Sequence, residues 1–271
     1  MRSNSLRVSV TLAAAAFAAA AAAPAAQQAA EPMTVALTDP ARPASIRVAI
    51  HTGGIVVRGG SRRDVQVTAR GEGARRQSPP PAGLRRLTAG SGLVIAEENN
   101  QVSIGTGGPN RDVDIELQVP SRVALNLSTH NDGDIVVENT DGDVEAQNHN
   151  GSIRLTNVAG SAVANTHNGD VQARLTRLTA DKAMSFVSYN GDVDVTLPAG
   201  AKANLKLRSD NGEIFTDFDV ELRPGAAAPA GDPRGRNRIE INQSIYGTIN
   251  GGGPEIELRT YNGDVYVRRG P

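Results

Sequence analysis

Five aspartates, Asp134, Asp143, Asp170, Asp192 and Asp264, each directly follow a glycine. A carboxylate that returns at a fixed interval is the chemistry of a calcium roll. Such rolls wind two nine-residue units per coil and hold Ca²⁺ with Asp oxygens and the carbonyls of a Gly-Gly-x-Gly-x-Asp turn. Here each unit has a single glycine, and Ser152 and Ser161 interrupt the acids. The carboxylates therefore read as acceptors for backbone amides at chain corners, facing water. Histidine offers a second chemistry. His149 and His167 lie eighteen residues apart and His130 falls one residue out of step, so imidazoles stacked on one edge could ligate zinc. Tyr189, Asp210 and Tyr261 take the same place in later copies, which a column of mixed polar side chains explains without metal; His51 stands outside the pattern. Asp134, Asp170, Asp192, His149 and His167 are the positions to watch for a cation, and the expectation is that neither metal nor cofactor is held.

Catalytic motifs do not emerge. The chain has no cysteine, no Gly-x-Ser-x-Gly elbow and no phosphate-cradling Gly-x-x-x-x-Gly-Lys. Gly251 to Gly253, followed by Pro254, reads as a turn. Paired carboxylates abound, and parallel β-helices do host sugar-cleaving enzymes. Yet the acids recur alike at most corners, and none is set apart by an apolar neighbourhood. The expectation is a protein that is not an enzyme.

The elements that must position these residues repeat. Units of nine begin at Gly133, Gly142, Gly151, Gly160 and Gly169. Their third positions are Ile135, Val144, Ile153, Ala162 and Val171, and their fifth are Val137, Ala146, Leu155, Ala164 and Ala173. All ten are apolar, the period-two sign of a strand with one buried face. Asn150-Gly151, Asn168-Gly169, Asn190-Gly191, Asn211-Gly212 and Asn262-Gly263 are dipeptides that tolerate positive φ, and place structural corners at these residues. A meander of hairpins would use the same turns. However, Asn148-His149-Asn150-Gly151 matches Thr166-His167-Asn168-Gly169 at eighteen residues, while the corners between them, Asp141-Gly142 and Ala159-Gly160, differ. The predicted fold is all-β: a single-stranded parallel β-solenoid of about eighteen residues per coil, preceded by irregular or antiparallel strands. Asn139 and Asn157 are expected to stack directly. Strands are also read at Ile46–Ile50, Gly54–Val57, Val65–Thr68, Leu93–Ala96 and Val113–Val119, and no amphipathic helix is found.

Composition fits this shape. Four Phe, four Tyr and no Trp against 29 Gly leave a thin core of Val, Ile, Leu and Ala. Net charge is −1, but residues 36–100 hold ten Arg against five acids, while residues 111–217 hold nine Lys and Arg against sixteen. That division offers no continuous basic face for nucleic acid. Arg2 and Arg7, the apolar run Val8–Ala23 and Ala23-Pro24-Ala25 read as a signal peptide over 1–25, too short and alanine-rich for a membrane span. A flexible mature N-terminus over 26–43 and a solenoid domain over 44–271 follow, with loops or disorder at about 72–83 and 224–236. No stable membrane span is expected in the mature chain.

Asp114 to Pro120, Val123 to Thr129 and Gly133-Asp134-Ile135, repeated more loosely from Val195 to Ile214 and followed by Gly251 to Val267, resemble the bacterial "putative adhesin" domain of unknown function. The resemblance covers roughly residues 44–269 and implies an exported β-solenoid with no established activity; the proline-rich insertion near Pro80 departs from it. The combined reading is an exported structural or adhesin-like module, periplasmic, on the cell surface or secreted, that presents a repetitive β-surface to an envelope protein or polymer. The rival is a module dependent on Ca²⁺ or Zn²⁺, or a carbohydrate-active β-helix.

Overall fold

The computed structural model describes residues 32–71, 93–106, 112–223 and 244–271. Within them the chain forms strands β1 to β21 and no helix, so none could cross a membrane. Alternation drives the pattern. In β8 (Val123–Thr129) every second side chain is buried, and all ten apolar positions of the nine-residue units lie in one continuous core.

The strands come in pairs, one in each of two facing sheets: β8 with β9 (Ile135–Glu138), β10 (Val144–Asn150) with β11 (Ile153–Gly160), β12 (Ala162–Asn168) with β13 (Val171–Leu178), and β14 (Met184–Asn190) with β15 (Val193–Leu197). Each pair stacks in parallel on the next, so that Val144 lies opposite Ala162 and Ile153 opposite Val171. This parallel pairing replaces the hairpin meander. The interval between stacked residues is not uniform. Equivalent asparagines are 18 residues apart from Asn150 to Asn168, but 19 from Asn131 to Asn150 and 22 from Asn168 to Asn190.

The stack does not follow chain order at either end. The first pair, β2 (Ala44–Ala49) with β3 (Ile55–Gly60), lies between β8–β9 and the later pair β6 (Gln101–Thr106) with β7 (Val113–Pro120). The last pair, β20 (Glu255–Asn262) with β21 (Val265–Arg269), lies between β14–β15 and the earlier pair β16 (Ala203–Asn211) with β17 (Ile214–Thr216). Both terminal pairs are thus inner layers, bonded on two sides. Beyond them the pairing turns antiparallel: β1 (Met33–Ala36) on β4 (Asp64–Gly71) on β7, and β5 (Leu93–Glu98) on β6, at one end; β18 (Glu221–Arg223) on β19 (Ile245–Ile249) on β16 at the other. Antiparallel caps of this kind cover the open edges that a stack otherwise leaves.

The strands read from sequence before the repeat fall on β2, β3, β4, β5 and β7, while β6 was not read. Met33–Ala36 pairs with β4 and Leu37 joins the core, because Val65 and Val67 offer β1 a buried edge. Residues 1–31, including the whole of the signal segment 1–25, lie outside the described residues, as do the loops read at 72–83 and 224–236.

Candidate functional site: the laddered edge

Chain reversal from one sheet to the other leaves an edge on which every coil sets down the same side chains. At Gly169 the backbone has φ +141°, and a Cβ there would lie 2.5 Å from the Gly151 carbonyl oxygen. Only glycine lets successive corners approach this closely. Gly151, Gly191 and Gly263 repeat the geometry, and Gly133 and Gly212 stack on the same edge.

Four columns follow from that approach. Innermost, Thr129, Asn148, Thr166, Ser188, Thr260 and Ser209 each donate to the carbonyl of a neighbouring-coil glycine at 2.8 Å, satisfying acceptors that the turn would otherwise bury unpaired. Next, the amides of Asn131, Asn150, Asn168, Asn190, Asn262 and Asn211 form one ladder, each Nδ2 donating to the preceding Oδ1 at 2.7–3.2 Å. Then the carboxylates: Asp134 accepts from the Ser152 amide, Asp170 from Asp192, Asp192 from Asp264 and Asp264 from Glu213, at 2.8–3.0 Å, with the Ser152 hydroxyl accepting from Asp170 in the gap. These acids spend one oxygen on the next layer's backbone.

The outermost column is aromatic. His51, His130, His149, His167, Tyr189 and Tyr261 stack in that order, with centroids 5.3, 4.6, 4.9, 4.7 and 4.7 Å apart and planes within 18° of parallel. His51 and His130, set apart by sequence spacing, are rungs of the same column. Parallel pairing of β2, β8 and β10 absorbs the irregular intervals. The column is also not mixed at random: its imidazoles are consecutive, and so are its phenols.

The opposite edge carries Gly142 and Gly160 and is less regular. Asn139 and Asn157, both left-handed with φ +57° and +54°, stack with an amide bond of 3.1 Å. Asp143 accepts from the Lys182 ammonium and the Ser161 hydroxyl, each at 2.6 Å, which in that order hold its carboxyl below the ordinary aspartate value. Among the described residues no three His, Asp or Glu side chains converge as a metal-binding group.

The two outer faces differ. On the face carrying β7, β3, β9 and β11, Arg58 pairs with Glu116 and Glu138, and Arg268 pairs with Asp194 across β15 and β21. On the other face, register aligns Ser128, Gln147, Asn165 and Val187 in one column and Asn126, Glu145, Val163 and Ser185 in the next. Glu145 is the one charged side chain in these two columns, and the Asn126 and Gln147 amides hold it at 2.7 and 2.9 Å.

Residues 129–268 match Toastrack DUF4097, and the chain belongs to that family. It is similar to two solved structures, each at 10% identity over 89% of this chain. One is described as a putative cell adhesion protein from Clostridium sporogenes (TM-score 0.40, all of that chain), the other as a putative adhesin from Bacteroides fragilis (TM-score 0.42, 97% of that chain). No curated protein matches it.

Proposed function

We propose that this protein is an exported, non-catalytic adhesion module that binds a protein or polymer of the cell envelope through the outer face of β8, β10, β12 and β14. The observation that carries the reading is the register: parallel pairing aligns Ser128, Gln147, Asn165 and Val187, and beside them Asn126, Glu145, Val163 and Ser185, in two columns across four strands, five of the eight side chains being uncharged and polar. A periodic face of this kind suits a long partner better than a small molecule, as in other solenoids. The basic, apolar and small-residue order of residues 1–25 supports export. The finer shape, a solenoid of about eighteen residues per coil, is supported by the partners of β10 and β11. Asp134, Asp170, Asp192 and Asp264 support a structural role, since one oxygen of each accepts from a backbone amide.

The test is retention of the mature chain on isolated native envelope, followed by identification of what it retains. Saturable retention that Asn165→Arg abolishes is expected. Retention that ignores this change moves the site elsewhere, and none at all overturns the adhesion reading. Turnover on a glycan panel, lost on changing one acid, would overturn the non-enzymatic part.

A further inference from the structure

We propose that the four-imidazole file on the laddered edge binds borderline divalent transition metals of the Zn²⁺, Ni²⁺ and Cu²⁺ class, each ion shared by two neighbouring rings and completed by water. This is independent of the adhesion reading. Imidazole nitrogen is a preferred donor for these ions, whereas Ca²⁺ asks for oxygen. His51, His130 and His167 are exposed and His149 is half-buried, so the ring edges are open to water. Nearest neighbours are 5.3, 4.6 and 4.9 Å apart between centroids. With metal–nitrogen bonds of about 2.0–2.1 Å and tetrahedral angles, one ion needs donor nitrogens about 3.3 Å apart. The in-plane lone pairs of stacked rings run side by side, so two neighbouring rings must rotate out of the stack about their side-chain torsions to converge on one ion.

The surroundings favour a cation. Outer-face neighbours Ser128, Gln147 and Asn165 are uncharged; on the other flank the Asn150 and Asn168 amides are committed to their ladder, while the Asn131 Nδ2 lies 3.5 Å from His51 Nε2, a contact that the ion would replace or that leaves His51 its other nitrogen. Arg259 and Arg208 lie in line with Val187, beside Tyr261 and Asp210 at the far end. Among the described residues, the outer-face register partners Ser128, Gln147 and Asn165 thus bring no positive charge beside the imidazoles. A row of four gives two separate pairs. None of the four histidines belongs to the apolar core, so binding adds to the fold and is not a condition for it.

Equilibrium dialysis of the untagged mature chain against Zn²⁺ and Ni²⁺ tests this. The expectation is up to two ions per chain and a rise in Tm with metal, since a ligand of the native state alone stabilises it. His149→Ala leaves one adjacent pair and should halve the stoichiometry. His130→Ala with His167→Ala leaves only isolated rings and should abolish binding, while Tyr189→Ala should leave it unchanged. Far-UV circular dichroism checks that each variant is folded, and the corresponding Gln variants replace any that is not. Absence of binding overturns the proposal; so does binding that survives the double variant, or that Ca²⁺ displaces.

Discussion

At the scale of single residues, the edge is held by side chains that each serve two layers. The Asn168 amide donates to Asn150 and accepts from Asn190. Replacing it with Ala removes both bonds and leaves partners unpaired, a cost of about 1–3 kcal/mol. Chemical denaturation of Asn168→Ala should show that loss at unchanged m-value, whereas Asn211→Ala, at the ladder's end, should cost less. Asp143 on the other edge makes a pH prediction. Its carboxyl is depressed in the folded state by the Lys182 and Ser161 hydrogen bonds. Its contribution is therefore present above the ordinary aspartate range and is lost as pH falls through the folded value. Asp143→Asn should lower Tm near neutrality and narrow the gap to wild type below about pH 4. Both partners are about half exposed, at 50% and 53%, so the effect should be only about a degree or two. An unchanged Tm difference across pH would show that this pair contributes nothing.

At the scale of elements, much was legible because the information is local. Glycine every nine residues gives the corners, and apolar third and fifth positions give the buried faces; Ile135 to Ala173 all point inward as their alternation requires. The corner-acid reading likewise needs only neighbouring coils of similar length. What was not legible depends on non-local pairing. His51 joins His130 across 79 residues of sequence because β2 pairs with β8. No periodicity could reveal that contact. Nor could spacing place Phe186, fully buried beside Ala164, in a core expected to be made of aliphatic residues. Its ring fills room that the small Ala162 and Ala164 leave. Phe186→Ala should cost about 3–5 kcal/mol, measured as a shift in the denaturation midpoint. A loss below 1 kcal/mol would mean that the layers close over the gap.

At the scale of the whole molecule, chain order and stack order part company at both ends. A terminal segment usually frays, but β20 and β21 are hydrogen-bonded to layers on either side. Native-state hydrogen exchange should therefore show Ile256, Leu258, Val265 and Val267 as well protected as Val171 and Ala173 in mid-stack, despite their place at the end of the chain. Rapid exchange in β20–β21 would contradict the inner-layer placement. The same stacking holds the face of β8, β10, β12 and β14 in register, and that is the face proposed for binding. The most direct measurement compares envelope affinity of the mature wild-type chain with that of Gln147→Arg/Asn165→Arg on this face and of Arg154→Glu on the opposite face. The account predicts that the first variant loses at least tenfold, about 1.4 kcal/mol, while the second retains wild-type affinity. Equal affinity for all three chains would contradict it.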